Sequence, residues 1–566
     1  MISSATSKTN YASVIAGLMV GFAPLIASAA GPALPDAGAI LQQLAPLLPP
    51  ALSSSQGALT INQTSGNEMP TSLPILVQRF EITGNTRIDT STLLAQVEKF
   101  QGKSLTLSEL AEVATLITTY YRSHDFPLAR AIIPPQTIAQ GVVRIEVIEA
   151  LYGQIILDNS SEVSDVLLQK TLAQLQSGQA INQTEMDRVL LRLSDVPGVV
   201  VEATLKPGNV IGSSDLVVST LPGPSAYGAV TLDNYGNRYT GRERLSGEFS
   251  VLNMLHHGDI LSLNALSSGR GMNSGRLGYE SLINGVGTRI GAATSTLNYV
   301  LGKPITTDIH GTAQVDSLLV KQSLVRGRGA NVNGQVQYDA LKLRDFYSDS
   351  IQANRSLRNL TISLSGDIRD QWLAGGGVNA WSLNWTSGKV AFDNSAAQRA
   401  DAATANTQGG FSKLNASFVR LQSLTPEALL YLTAAAQWSH TNLDSSQRMS
   451  VGGPYTVRAY DVGAASGDKG YFLSAEYRYN LRQDLAGQLQ AVAFIESARV
   501  IVNARTWPGL NGENSGNLNG AGVGLNWNEL GQWSLKAYIA KPIGAVPLIV
   551  GNSNSVRVWL GLVRKL

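Results

Sequence analysis

The region 222–566 alternates between apolar and polar positions with a period of two, in short segments separated by turns rich in Gly, Asn, Asp and Ser. One face of a representative segment carries Tyr471, Leu473, Ala475, Tyr477 and Tyr479. The opposite face carries Phe472, Ser474, Glu476, Arg478 and Asn480. Strands that present one face to lipid and the other to an aqueous lumen need this pattern. The region therefore predicts membrane-spanning β-strands.

The predicted fold of this region is a membrane β-barrel with about 16 antiparallel strands, at roughly 20 residues per strand and connection. Only a closed barrel lets strands cross lipid, because an open sheet edge would leave backbone donors and acceptors unpaired there. A soluble β-sandwich or a repeat array is the alternative.

Residues 73–221 show two α+β patterns in tandem. Residues 73–150 read as strand, helix, helix, strand and strand, and residues 151–221 repeat that order more weakly. The helices are predicted from apolar positions three and four residues apart behind side chains that cap helices. Two copies of one small unit are the economical interpretation, and one larger α+β domain is the alternative.

The N-terminal part of the chain divides into three segments. Residues 1–30 place Lys8 before a charge-free apolar run that ends in small residues, which is typical of a secretory signal peptide; a membrane anchor is the alternative. Residues 51–72 are rich in Ser, Gln, Asn and Gly and predict a flexible linker.

Between these two segments, residues 31–50 predict a short amphipathic helix that Asp36 caps. Its apolar stripe comprises Ile40, Leu41, Leu44, Leu47 and Leu48. A disordered N-terminus with chance periodicity is the alternative.

Composition narrows the function classes. Charged residues make up only 15% of the 566 residues, against about 25% in typical globular chains. A net charge of +2, without a local run of basic residues, argues against a nucleic-acid partner. The chain has no cysteine, which excludes thiol catalysis, disulfides and cysteine zinc sites. It also lacks the metal-binding, nucleophile-elbow and phosphate-loop motifs. We therefore predict no enzyme activity, no catalytic residue, no metal and no cofactor.

Arg458 and Glu496 form a candidate pair that the residues alone suggest. A guanidinium and a carboxylate can share two parallel hydrogen bonds, which fix orientation. Strand alternation places Glu496 on the same face as Phe494, and glutamate on the lipid face would be costly, so this face should be the lumen. We expect the pair to hold a long loop inside the barrel. Two unrelated solvated charges are the alternative.

Three motifs carry a resemblance to a known family. The barrel-start motif comprises Asp233, Asn234, Tyr235, Gly236, Arg238 and Gly241. The loop-tip motif comprises Val457, Arg458, Ala459 and Tyr460. The strand motif comprises Phe494, Glu496 and Ala498. With the tandem α+β units and the barrel, they resemble the two-partner secretion transporters of the Omp85 superfamily (the TpsB family), which include haemolysin and filamentous haemagglutinin exporters.

Three positions depart from the family pattern. Ala459 and Ala498 stand where the family prefers glycine, and Glu496 stands for aspartate. Glu496 still supplies a negative charge, but the side chains of Ala459 and Ala498 hinder the close approach of the backbone that glycine permits.

The resemblance implies a function for the whole chain. The α+β units resemble POTRA domains, which would lie in the periplasm and recognise an unfolded TpsA-type exoprotein of the haemagglutinin, adhesin or haemolysin class. The Gram-negative outer-membrane barrel would move it to the cell surface without ATP, and helix 31–50 would be a reversible plug. The other implied partners are outer-membrane lipid and the barrel-assembly machinery. An Omp85-type insertase of membrane proteins is the alternative, and the missing nucleophile motif disfavours a barrel hydrolase.

Overall fold

The computed structural model describes residues 34–44, 73–373, 375–481, 487–529, 531–551 and 555–566. The predicted signal peptide 1–30, the linker 51–72 and the apolar positions Leu47 and Leu48 lie outside the described residues. Within the described ranges, no helix combines the length and the apolar character that crossing a bilayer requires.

Helix α1 spans Ala37–Leu44 and is followed by two small α+β units. The first unit contains β1 (Ile75–Val77), β2 (Arg79–Thr83), α2 (Thr90–Val97), a 3-10 turn (Glu98–Phe100), β3 (Lys103–Leu105), α3 (Leu107–Ser123), β4 (Arg130–Ile132) and β5 (Val142–Ile148). The second unit contains β6 (Leu151–Asn159), α4 (Asp165–Leu172), α5 (Gln183–Ser194), β7 (Val199–Pro207) and β8 (Ser213–Pro222).

The two units share one plan. The first has a three-stranded sheet in the order β2-β5-β4, and the second has one in the order β6-β8-β7. In each sheet the first two strands are parallel and the third is antiparallel. Each sheet packs its helices over a separate apolar cluster, centred on residues such as Ile117 and Ile145 in the first unit and Leu168 and Leu216 in the second.

The rest of the chain forms a closed barrel of 16 antiparallel strands, which confirms the predicted fold. Its first eleven strands are β9 (Ala226–Asp233), β10 (Arg244–Leu252), β11 (Ile260–Ser267), β12 (Met272–Leu282), β13 (Thr288–Val300), β14 (Ile309–Arg326), β15 (Ala330–Tyr347), β16 (Ser350–Asp370), β17 (Gly377–Phe392), β18 (Gly409–Ser423) and β19 (Ala428–Ser439). A short helix, α6 (Ser395–Ala402), lies in the loop after β17.

A long loop, residues 440–468, follows β19 and contains a 3-10 turn (Ser445–Gln447) and a small hairpin of β20 (Met449–Val451) and β21 (Ala465–Gly467). The barrel then closes with β22 (Lys469–Asn480), β23 (Gln488–Ile501), β24 (Ser515–Asn528), β25 (Trp533–Pro542) and β26 (Arg557–Lys565), with a 3-10 turn (Leu548–Val550) before β26. Strand β26 pairs with β9, so the sheet has no free edge.

The predicted alternation is visible on β22. Tyr471 and Leu473 are exposed on the outer wall, whereas Phe472, Ser474 and Glu476 are buried on the lumen side. The face that carries Tyr471 and Leu473 is therefore the membrane face, and the face that carries Phe472, Ser474 and Glu476 lines the lumen.

The second α+β unit docks on one end of the barrel. Asp195, just after α5, accepts hydrogen bonds from Arg326 Nε and Nη2 at 2.7 and 2.8 Å, beside the turn between β14 and β15. Asp187 pairs with Arg328 in the same turn at 2.7 Å. Because β8 also leads directly into β9, this end of the barrel is the one that faces the two units.

Candidate functional site

The tip of the 440–468 loop folds back into the barrel. Val457, Ala459 and Tyr460 are fully buried there and pack in one apolar cluster with Phe494 of β23 and Trp559 of β26. The small β20–β21 hairpin joins the two arms of the loop. The loop-tip motif therefore lies in the lumen against the inner wall.

Arg458 makes the central polar contact of this tip. Its Nε donates to Glu496 Oε1 at 2.6 Å, and its backbone N–H donates to Glu496 Oε2 at 2.7 Å. Its Nη2 donates to Glu476 Oε1 at 2.5 Å, and Glu476 also binds Arg478. Two guanidinium groups thus balance two carboxylates, and all but Arg478 are buried. Such a network holds orientation because each buried charge has a partner.

Aromatic side chains enclose the same guanidinium. The Cζ atom of Arg458 lies 3.4 Å from the ring centre of Phe494 and 4.8 Å from that of Tyr538. On the backbone side, Trp559 Nε1 donates a hydrogen bond to the Arg458 carbonyl at 2.7 Å. Cation–π contacts strengthen when water is excluded. Arg458 is therefore held from three sides.

The departures from the family pattern have local structural counterparts. A Cβ atom on Gly520 would lie 2.5 Å from the Cβ of Ala459, so the absence of a side chain on β24 makes room for the methyl group of Ala459. Glu496 reaches both the side chain and the backbone N–H of Arg458. Ala498 is fully buried in the same cluster. The loop tip packs closely although its own glycine is missing.

The barrel-start motif lies at the seam between β9 and β26. This ladder pairs only Ala229–Asp233 with Gly561–Lys565, the shortest among the described barrel strands. Asn234 extends it, since its Nδ2 donates to Val558 O at 3.0 Å and its Oδ1 accepts from Leu560 N at 2.9 Å. Asp233 binds Arg244 through both carboxylate oxygens, at 2.8 and 3.1 Å.

The same motif connects the seam to the loop tip. The ring of Tyr235 packs edge-on against Trp559, with 6.0 Å between centroids, and against Tyr455 of the loop at 5.7 Å. Gly236 N donates to Arg242 O at 2.8 Å. Gly241 has a φ of +99°, a backbone conformation that favours glycine.

Arg238 does not join the Arg458 network. Its Nη2 donates to the Tyr239 hydroxyl at 2.5 Å, and its guanidinium lies over the Tyr239 ring.

Helix α1 occupies the lumen as a second element. Asp36 caps it, because its Oδ1 accepts from Ala39 N at 2.9 Å. The other oxygen, Oδ2, accepts from Arg355 Nη2 at 2.9 Å. Arg355, on the inner wall, also binds Asp345 at 2.7 Å and Asp444 at 2.8 Å. Three carboxylates from the helix cap, the wall and the loop thus meet one arginine.

The apolar stripe of α1 is buried unevenly. Ile40 is almost fully buried beside wall and loop residues such as Leu343 and Leu443. Leu41 and Leu44 are half-buried and border a lumen cavity of about 950 Å³. The helix therefore contacts the wall on one side and the lumen cavity on the other.

The end of α1 is tied to the other two motifs. Asn237 Nδ2, within the barrel-start segment, donates to Gln43 Oε1 and to Val462 O, both at 3.0 Å. Helix, seam and loop consequently share one hydrogen-bonded junction.

Several residues of this site were missed by sequence reasoning. The inward position of Glu476 could have been predicted from the alternation, because Glu476 shares a face of β22 with Phe472 and Ser474. No local pattern could have predicted the contacts of Arg355, because Asp36 lies 319 positions and Asp444 lies 89 positions away in the sequence. Only the fold brings them together.

Comparison with known sequences gives two family matches. Residues 212–526 match the model of the haemolysin secretion/activation protein ShlB/FhaC/HecB, and residues 75–150 match the ShlB-type POTRA domain. The chain is 27% identical over 491 residues to the heme/hemopexin transporter protein HuxB of Haemophilus influenzae (strain 86-028NP), covering 85% of each. It is 24% identical over 465 residues to the outer membrane transporter CdiB of Escherichia coli O6:K15:H31 (strain 536 / UPEC), covering 80% of this chain and 76% of the relative.

Solved structures show a similar fold. CdiB from Escherichia coli superposes with a TM-score of 0.68 at 20% identity, covering 93% of this chain and 95% of that one. BamA from Haemophilus ducreyi, lacking POTRA domains 1–3, superposes with a TM-score of 0.51 at 14% identity, covering 87% and 100%. These likenesses concern the fold.

Proposed function

We propose an export mechanism on the premise that this chain belongs to the haemolysin secretion/activation protein family ShlB/FhaC/HecB. The chain is accordingly an outer-membrane two-partner secretion transporter of the TpsB type, with its POTRA domains in the periplasm. The relatives HuxB and CdiB are named as transporters.

The proposed substrate is one unfolded secreted exoprotein of the haemagglutinin, adhesin or haemolysin class. The POTRA-like units offer sheet edges such as β4 and β7, and an extended segment can add to a sheet edge through main-chain hydrogen bonds. The second unit is docked at the periplasmic end of the barrel, so a captured segment would be delivered at the mouth of the pore.

Helix α1 is the proposed reversible plug, and this assignment rests on how differently the two lumen elements are held. The loop tip is fully buried and its arginine has partners on three sides. The helix is held at its cap by Asp36, whose side chain is 32% exposed, and borders an open cavity at Leu41 and Leu44. Because one side of the helix borders this cavity whereas the loop tip is fully buried, we assign departure to the helix and a fixed position to the loop tip.

We further propose that the pore works without ATP and without enzymatic chemistry. Folding of the exoprotein outside the cell would draw the chain outward. The Omp85-type insertase is the competing function, and membership of a secretion family favours export.

Co-expression with a candidate exoprotein tests the proposal. Deletion of residues 73–221 should trap the exoprotein in the periplasm while the remaining barrel still reaches the outer membrane. The control is K99A/K103A, which changes two exposed lysines of the first unit, leaves both units in place and should secrete normally. Normal secretion by the deletion variant would contradict capture by the POTRA-like units.

A further inference from the structure

Four basic side chains are grouped on the outer wall of three neighbouring strands. All four are exposed: Lys342, Arg344, Arg358 and Lys389. Their neighbours along the strands, Leu341, Leu343, Leu357 and Val390, are buried in the cluster that surrounds α1 inside the lumen. Since successive side chains of a strand point to opposite faces, the four cations face away from the lumen. We call this set the outer cationic patch.

The patch contains an unfavourable charge pair. Arg358 lies directly opposite Lys389 in the β16–β17 ladder, and like charges facing each other across strands are destabilising. On its other side Arg358 faces Ala340, two positions before Lys342. No side chain of the patch forms an ion pair or a hydrogen bond with a residue that the structure describes.

Two carboxylates, Asp316 and Asp393, lie near this surface, and neither forms an ion pair with the patch. Asp316 faces Ala340 across the β14–β15 ladder. It accepts hydrogen bonds from Thr294 at 2.7 Å and from Gln314 at 3.1 Å. The charge of the patch therefore calls for an anion from outside the chain.

The position of the patch along the barrel axis limits which anion can bind to it. On the same outer face, Leu360, Ile362 and Leu364 follow Arg358 towards the periplasmic end, and Trp385 lies opposite Ile362. These exposed apolar residues belong to the lipid-facing wall. Asp367, further along β16, is bonded to Asn331 beside the Arg326 docking site, which fixes that end as periplasmic. The cations therefore border the apolar wall on the side of the outer leaflet.

We infer that the outer cationic patch binds the phosphate groups of a phosphorylated glycolipid of the outer leaflet, of the lipid A type. Arginine binds phosphate through two hydrogen bonds and lysine binds it as a point charge. A single phosphate between Arg358 and Lys389 would remove their repulsion, while the acyl chains would lie along the apolar rows below. The inference rests on the outer-membrane location of the family, not on export.

The test is a binding titration with the purified full chain in nanodiscs of zwitterionic phospholipid. The probe is lipid A carrying two phosphates, and bound lipid is counted by native mass spectrometry. R358A/K389A should weaken binding by about tenfold or more, as expected for the loss of charge-assisted hydrogen bonds. K99A/K103A removes two exposed lysines far from the barrel wall and should bind like the wild type.

Two further measurements separate loss of charge from a folding defect, and phosphate binding from general lipid binding. R358K/K389R retains both charges and should keep most of the affinity, which separates charge from a folding defect; heat-dependent migration on gels checks the fold of each variant. Dephosphorylated lipid A should bind weakly. Wild-type affinity in R358A/K389A, equal binding of the dephosphorylated lipid, or full displacement by millimolar inorganic phosphate would overturn the assignment. No exoprotein is present, so the outcome is independent of the proposed export mechanism.

Discussion

Asp36 and Arg355 form an ion pair, with 2.9 Å between Oδ2 and Nη2, that joins the cap of helix α1 to the inner wall of the barrel. The same guanidinium binds Asp345 and Asp444, and Asp345 also accepts a hydrogen bond from Ala37 N at 2.8 Å. The wall, the loop and the helix therefore meet at Arg355. The other end of the helix is held by the hydrogen bond between Gln43 and Asn237, so release of the plug requires contacts at both ends to break.

The first prediction concerns this arginine. R355A leaves three carboxylates without their shared counter-charge, and removing one partner of a buried pair typically destabilises by about 3–5 kcal/mol. We expect the helix to leave the lumen more often and the closed pore to become conducting in planar bilayers. R276A is the control, because Arg276 borders the lumen cavity but forms no hydrogen bond or ion pair with the four residues of the Arg355 cluster. An R355A conductance no higher than that of R276A would contradict the role of the Asp36–Arg355 ion pair.

The second prediction concerns the loop tip. R458A should destabilise the folded barrel more than E496Q, because it strands two buried carboxylates, Glu496 and Glu476, instead of weakening one pair. E496D keeps the charge and should be the mildest change. Thermal unfolding in detergent, followed by heat-dependent migration on gels, ranks the three variants by stability.

Exchange of the two charges sharpens that test. R458E/E496R should recover only part of the lost stability, because the new glutamate at 458 would face Glu476. Full recovery would mean that Glu476 does not interact with position 458. A double variant no better than either single one would show that the Arg458–Glu496 pair is not formed.

The third prediction is a pH dependence in the first POTRA-like unit. Burial alone would raise the pKa of Glu149, but hydrogen bonds from Thr86, Tyr121 and the backbone N–H of Arg87 outweigh it and lower the pKa. A carboxylate whose pKa is lower in the folded state stabilises the fold above its unfolded pKa of about 4.3. That stability is lost as the pH falls through the folded pKa.

Hydrogen exchange of the full chain can measure this effect. Protection of β5 and α3 should fall between neutral pH and about pH 3, after correction for intrinsic exchange, and E149Q should flatten the profile. E112Q, which removes one exposed carboxylate of α3, is the matched control. An E149Q profile as steep as that of the wild type would contradict the assignment.

Much of the architecture was predictable because the period-two pattern is a direct consequence of a wall between lipid and water. The faces of β22 and the inward position of Glu496 follow from alternation alone. The barrel fold predicted on this basis is confirmed, as are the family and the outer-membrane location that the three motifs and the tandem units implied. The domain boundaries and the roles of individual site residues stay predictions.

The contacts of the site were less accessible to sequence reasoning. Gly520 lies on β24 and leaves space for the methyl group of Ala459, and the sequence around position 459 gives no indication of this contact. Asn237 bridges helix and loop through a side chain whose partners, Gln43 and Val462, are distant in sequence. The Arg355 cluster joins three separate segments. Such pairings depend on strand register and loop path, which local patterns do not contain.

The most direct measurement of the central claim, that helix α1 must leave the lumen before export, is secretion with the helix tethered. The chain has no cysteine, so Q43C/N237C places two unique thiols at positions whose side chains are joined by a hydrogen bond. A short reducible thiol cross-linker should stop secretion of the partner exoprotein, and a reductant should restore it, whereas each single variant treated in the same way should secrete normally. Undiminished secretion with the cross-link in place would contradict the account.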